Sequence, residues 1–329
     1  MATIQQILQE IEKLSFKEKM ELTTKLLETY LKELPIQENV TGKNQRLPLD
    51  EAMTNLINQS KGNLSEDDTI SSGFTSLDKH MGGFRKGSLT IIGGRPNMGK
   101  RDLVLNLVRK MLSLNKVVGF VSIDLTSEQL AKKMLQLYSG VSASETLTKE
   151  QHKKLEEAKS TIRAQSFHHV DVKKMYPGVN ELLEVCRSMA IENQIEALFI
   201  DYLQLINWDL EMPDSPKSDP EHVITELKRF AHEYNIALIV TSGLTRGVDL
   251  RSGDKRPMLS DLSDVTRSDM IEELADNILL LYSPAYYGII EDEKGNNLMN
   301  TIEVIIARSK DGFTGNIYFR NESQSLIMY

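Results

Sequence analysis

The residues with the clearest chemistry are Gly94-Arg95-Pro96-Asn97-Met98-Gly99-Lys100, which satisfy the spacing G-x-x-x-x-G-K. Glycines at the two ends let a backbone fold around phosphate oxygens, so that successive N–H groups and a helix N-terminus face the negative charge while the lysine reaches the outer phosphates. The loop follows the apolar run SLTIIG and precedes DLVLNLVRKML, the strand-to-helix setting that this chemistry requires. Gly94 to Asp102 are therefore the expected phosphate-binding residues, with ATP or another nucleotide as ligand. Position 101 departs from the pattern. A Ser or Thr there would ligate Mg²⁺ through its hydroxyl, whereas Arg101 has five donors and no acceptor and cannot bind a cation. Its guanidinium is expected to lie against the phosphates and take over part of the metal's charge, which makes binding weakly dependent on Mg²⁺ or independent of it. A second site candidate is Asp201, the carboxylate that ends the apolar run Glu196-Ala197-Leu198-Phe199-Ile200 and suits the orientation of a hydrated metal ion.

These side chains need a rigid support. From residue 88 onward the apolar runs SLTIIGG, KVVGFVSID, EALFIDYLQLI, IALIVTSG and NILLLYS alternate with helical patterns. Continuous rather than alternating hydrophobicity indicates strands covered on both faces, so the expected class is α/β with a mostly parallel sheet flanked by helices. One crossover helix is signalled by Asp219 as N-cap, Pro220 at the first helical position and Val223, Leu227, Phe230 and Tyr234 on one face. The tail TIEVIIARSKDGFTGNIYFR reads as a C-terminal β-hairpin turning at Asp311-Gly312. This core is expected over 70–329.

Upstream, residues 1–35 read as a short helical hairpin: Ile4, Ile7, Leu8, Ile11 and Leu14 form one stripe, and Ser15 to Glu18 restart a helix as a capping box. So short a pair cannot bury its stripes alone, which makes it an interaction module for a second copy or a partner. Residues 36–69 read as a linker carrying an amphipathic docking helix over 49–57, LDEAMTNLI. The net charge of −8 disfavours indiscriminate nucleic-acid binding, and the single Cys186 lies on the apolar stripe Leu182, Val185, Met189 and reads as core. No run approaches the ~20 apolar residues that span a bilayer, the N-terminus lacks the features of a signal peptide, and the histidines have no metal-ligand spacing. A cytoplasmic protein without membrane or zinc is the expectation.

The segment Ile200-Asp201-Tyr202-Leu203-Gln204-Leu205 is similar to the I-D-Y-L-Q-L signature of DnaB-family replicative helicases. Gly73-Phe74-Thr75-Ser76-Leu77-Asp78 ahead of Gly82-Gly83, the phosphate loop, Ser127-Glu128-Gln129 and Asp254-Lys255-Arg256-Pro257 before Asp261-Leu262 agree in the same order. The resemblance spans about residues 49 to 320 and implies a RecA-like P-loop NTPase core, ATP as ligand, assembly into a hexameric ring through helix 49–57, and a role in DNA replication. The hairpin 1–35 does not resemble the larger N-terminal domain of that family.

Within this resemblance the catalytic positions depart together. The glutamate that aims water in an S-L-E context is Asp124 here, one methylene shorter, and a shift near 1 Å costs on the order of 10²-fold in rate. The γ-phosphate-sensing glutamine of S-Q-L-N-R is Gly243. The neighbouring subunit's basic pair, K-Q-R, is Arg308-Ser309-Lys310. In the DNA loop D-L-R-E-S-G the arginine is Ser263; Arg267 is its candidate replacement, and Arg246, Arg251, Lys255 and Arg256 leave the preceding loop basic, so weakened single-stranded DNA binding is expected. The leading reading is a nucleotide-binding relative with lost or strongly reduced hydrolysis that acts through self-association or a replication partner. The alternative is an active hexameric helicase that unwinds duplex DNA, and a recombination or clock-type RecA relative is the third.

Overall fold

The computed structural model describes residues 68–141, 147–172, 177–206, 220–266, 269–322 and 325–328. The chain divides between Gly62 and Asn63, and every described residue belongs to the second unit. The hairpin expected over 1–35, the helix expected over 49–57, Asp219 and Arg267 lie outside the described residues.

The first elements are β1 (Thr69–Ile70), α1 (Thr75–Met81), β2 (Phe84–Arg85), β3 (Leu89–Gly94), α2 (Lys100–Ser113) and β4 (Val118–Ser122). Then come α3 (Ser127–Ser139), α4 (Lys149–Arg163), β5 (Phe167–Asp171), α5 (Val179–Asn193), β6 (Ala197–Asp201), α6 (Pro220–Glu233) and β7 (Ala237–Ser242). Three short helices, α7 (Gly247–Leu250), α8 (Leu259–Thr266) and α9 (Met270–Leu274), lead to β8 (Asn277–Tyr282), and the chain finishes with β9 (Thr301–Arg308), β10 (Gly315–Glu322) and β11 (Ser325–Met328).

β1 and β2 form a small antiparallel ribbon, and the other strands form one sheet in the order β11-β10-β9-β8-β3-β7-β6-β4-β5. From β8 to β5 the pairing is parallel, and from β8 to β11 it is antiparallel. The five apolar runs became β3, β4, β6, β7 and β8, all buried along their length. Their alternate residues serve two cores. Ile92, Phe199, Ile239 and Leu279 pack with α2 and α3 on one face, while Ile91, Leu198, Val240 and Leu280 pack with α5 and α6 on the other. The period of two in a strand, with helices over both faces, is why no polar alternation was legible. Val223, Leu227 and Phe230 of α6 are buried as the periodicity required, and Cys186 lies wholly in the core of α5.

The expected tail hairpin forms as β9 and β10. β11 was not foreseen: it pairs with β10, and Leu326, buried at its centre, donates its N–H to Asn106 Oδ1 of α2. β3 lies between β7 and β8, while the chain leaves it for β4 on the far side of β7 and β6. The carboxyl end of β3 is thus the crevice in which an open α/β sheet accepts ligands.

Candidate nucleotide site

The phosphate loop joins β3 to α2. Gly99 holds φ 83° immediately before the helix, and a Cβ there would stand 2.3 Å from Ile302 Cδ1 of β9, so only glycine fits. Leu103 N–H donates to the Gly99 carbonyl at 2.9 Å, which opens the helix with its first free N–H groups facing the loop. Met98 is buried, and its Sδ accepts the Ser283 N–H at 3.2 Å, so its contribution to the loop is backbone alone. The Lys100 ammonium is folded back on its own loop, donating to the Gly94 carbonyl and, at 3.0 Å, to that of Arg95. Burial lowers the Lys100 pKa to about 8, with Asp201 opposing and Arg101 and Arg95 adding to the shift. The loop borders a cavity of about 680 Å³ that Lys100, Arg101, Asp102, Lys133, Asp201 and Gln204 help to line.

Arg101, expected from its sequence to lie against the phosphates, lines this cavity with its guanidinium held by two carboxylates. β4 pairs with β6 in the register Ser122↔Asp201, so the segment leaving β4 carries Asp124 to the same sheet end as Asp201. Arg101 lies between them, donating from Nη2 to Asp124 Oδ2 at 2.7 Å and from Nε to Asp201 Oδ2 at 3.2 Å. Burial disfavours its charge, but the attraction of Asp201 and Asp124 prevails and the guanidinium pKa is raised. The other oxygen of Asp201 accepts from Thr241 Oγ1 at 2.6 Å. Two carboxylates close together need a cation, and the side chain at 101 supplies it from within the chain. Position 101 offers no hydroxyl to a metal ion, and the carboxylates of Asp124 and Asp201 face a guanidinium.

The remaining expected site residues divide into two groups. The Arg95 side chain donates to Asp249 Oδ2 at 3.0 and 2.7 Å and to the Leu244 carbonyl at 3.0 Å. Asp102 accepts from Asn321 Nδ2 at 3.0 Å, and its carboxyl pKa is raised by burial. Gly243 N–H donates to Gln204 Oε1 at 2.8 Å, and Gln204 Nε2 donates to Ser242 Oγ at 2.8 Å. The carboxamide lacking at 243 is therefore present close by, on the short 3₁₀ turn Leu203–Leu205. Thr241, Gln204 and Asp249 had no assigned role in the sequence; Gln204 stood inside the quoted IDYLQL segment, the one signal available for any of the three.

The basic residues expected to meet DNA are largely occupied within the chain. Arg251 donates to Asp261 Oδ1 at 2.6 Å, and Lys255 Nζ donates to the Asp249 carbonyl at 2.9 Å. Arg256 Nε donates to Glu303 at 2.9 and 3.0 Å, and its guanidinium lies 5.2 Å from the Tyr282 ring centroid. Glu303 is fully buried. Carboxylates of β9 and α8 thus hold cations that the sequence alone left facing solvent; Arg246 is exposed. Arg308 pairs in register with Ile278, and Ile278 with Ile91, whereas Leu281 pairs with Gly94. Arg308 and Lys310 therefore lie at the opposite end of the sheet from the phosphate loop, about 10 Å farther along the strands, and cannot serve their own site. Arg308 donates to the Glu272 carbonyl, and Lys310 Nζ stands 3.9 Å from Asp276.

Residues 69–326 match the family model described as the DnaB-like helicase C terminal domain. The chain is 32% identical over 255 residues to the replicative DNA helicase DnaC of Bacillus subtilis, covering 75% of this chain and 53% of that protein. It is 32% identical over 282 residues to the replicative DNA helicase DnaB of Rickettsia typhi, covering 78% and 55%. The chain thus spans about half the length of these curated relatives. Among solved structures, one described as an ATPase domain aligns with a TM-score of 0.74 at 28% identity over 85% of this chain and 98% of that one. A DnaB-like replicative helicase, described with its interactions with primase, aligns with a TM-score of 0.73 at 28% identity over 84% and 66%.

Proposed function

This chain belongs to the family of the DnaB-like helicase C-terminal domain, and on that footing we propose that it binds ATP or another nucleotide with little or no Mg²⁺ and with hydrolysis lost or strongly reduced. The single observation that carries the proposal is Arg101 lodged between Asp124 and Asp201. Phosphoryl transfer depends on metal, positioning and charge stabilisation; here one side chain displaces the metal and at the same time holds the carboxylate that would have aimed water. Phosphate binding needs less. The loop N–H groups, the start of α2 and Lys100 remain, and a phosphate that replaces the two carbonyls now bonded to Lys100 would favour its charged form.

On this reading the core 70–329 binds nucleotide, 36–69 links it, and 1–35 with helix 49–57 joins copies of the chain or a replication partner. The chain's place is in DNA replication, as its relatives' names indicate. One observation favours a second reading, an active ring helicase: Arg308 and Lys310 lie away from their own phosphate loop, as residues that serve a neighbouring copy's nucleotide would.

DNA-stimulated ATP turnover separates the two. A motor turns over at roughly 1 per second or faster, while a chain that only binds nucleotide should match the rate of Lys100→Ala. Turnover on the motor scale would overturn the binding reading. The triple change Arg101→Thr, Asp124→Glu, Gly243→Gln is expected to raise hydrolysis above that baseline.

A further inference from the structure

Arg95 and Lys100 are the two cations of the phosphate loop, yet Arg95 is bonded elsewhere. Its partner Asp249 belongs to α7, in the basic segment that joins β7 to α8. Asp249 is held on several sides. One carboxylate oxygen takes the two Arg95 bonds, the other accepts from the Tyr287 hydroxyl at 2.8 Å, and the backbone carbonyl accepts from Lys255. Burial works against its charge, but the bonds from Arg95 and Tyr287 outweigh it and its pKa is lowered. The Arg95 side chain is 14% exposed and that of Asp249 28%, so the pair is more sheltered than an ordinary surface bridge.

A carboxylate and a phosphate are rival ligands for one planar guanidinium, and the phosphate offers more oxygens and more charge. The backbone of Arg95 lies within the loop that would receive phosphates, so a turn of its side chain suffices to exchange one anion for the other. We propose that the Arg95–Asp249 pair is a latch that an entering polyphosphate opens, drawing the guanidinium onto the nucleotide and releasing segment 246–256 from the phosphate loop. The inference rests on the nucleotide-binding reading above. Coupling of this kind is reciprocal: whatever frees Arg95 from Asp249 must also favour the nucleotide.

The test uses the whole chain with ADP in EDTA as the probe. Asp249→Asn is expected to bind ADP about two- to five-fold more tightly than wild type, the range that one such ion pair carries. Amide hydrogen exchange over 246–256 should quicken when ADP is added to wild type. It should be quick already in Asp249→Asn, and quick with or without ADP in Arg95→Ala. Tyr287→Phe, which leaves the Arg95 bonds in place, should move both readouts the same way by less and stands in if Asp249→Asn fails to fold. Unchanged ADP affinity in Asp249→Asn, or exchange over 246–256 that ADP leaves alone or slows, would overturn the latch while nucleotide binding stands. A wild-type chain that binds no ADP would overturn both.

Discussion

Replacing Arg101 by threonine is the most informative single change, because it removes the internal cation and restores the hydroxyl that a metal site uses. In the native chain the guanidinium, 32% exposed, bridges an Asp201 side chain that is 9% exposed and an Asp124 side chain that is 47% exposed. Breaking a fully buried ion pair costs about 3–5 kcal/mol and an exposed one about 0–1 kcal/mol, so this half-sheltered bridge is placed at about 1–2 kcal/mol. For a domain of this size each kcal/mol moves the melting temperature by about 2–4 °C, so Arg101→Thr should melt about 2–8 °C below wild type in EDTA. Mg²⁺ should recover that loss, since a ligand at 100 times its Kd adds about 2.7 kcal/mol. Wild type should melt at the same temperature in EDTA and in Mg²⁺, and bind ADP equally in both. Melting curves with and without chelator, followed by ADP titration, complete the measurement. A wild-type chain whose stability or ADP affinity rises several-fold with Mg²⁺ would contradict this assignment, because the metal would then be displacing Arg101 rather than being replaced by it.

Three further outcomes are expected. Lys100, with a pKa of about 8, is charged below that pH and needs no proton to meet phosphate; above pH 8 binding must take one up, so ADP affinity should fall by up to about tenfold per pH unit, a fall that titration of Lys100→Ala should not show. Arg256→Ala should lower stability by about 2–3 kcal/mol in denaturant unfolding, since Glu303 is wholly buried and keeps only Asn316, at 2.6 Å, and the weaker Tyr318 contact. Glu303→Gln should cost less. Single-stranded DNA binding should be weak, with a slope of log K against log salt of about −0.7 to −1.4 per chain, as one or two phosphate contacts give; a slope near −3 would mean that Arg251, Lys255 and Arg256 leave their partners within the chain for DNA.

Much of the scaffold was legible because its signals are local. Five apolar runs gave five buried strands, Pro220 opened α6, Asp311-Gly312 lay in the connection between β9 and β10, and the phosphate loop stood between strand and helix. The edge strand β5 and the terminal β11 were harder to read. β5 is only half buried and reads Phe-His-His-Val-Asp, and the apolar run of β11 is three residues long, so neither carries a run long enough to mark a strand.

Residue types at fixed short spacings were enough to show a G-x-x-x-x-G-K loop between a strand and a helix, an arginine where that pattern carries Ser or Thr, and which family the chain resembles. What the charges do emerged only from the folded chain. Arg101 meets Asp201 across 100 positions, Arg95 meets Asp249 across 154, and Arg256 meets Glu303 across 47. A guanidinium takes whichever anion the strand register brings within about 3 Å, and that register is set by which strands neighbour one another in the sheet, a property absent from any single stretch of chain.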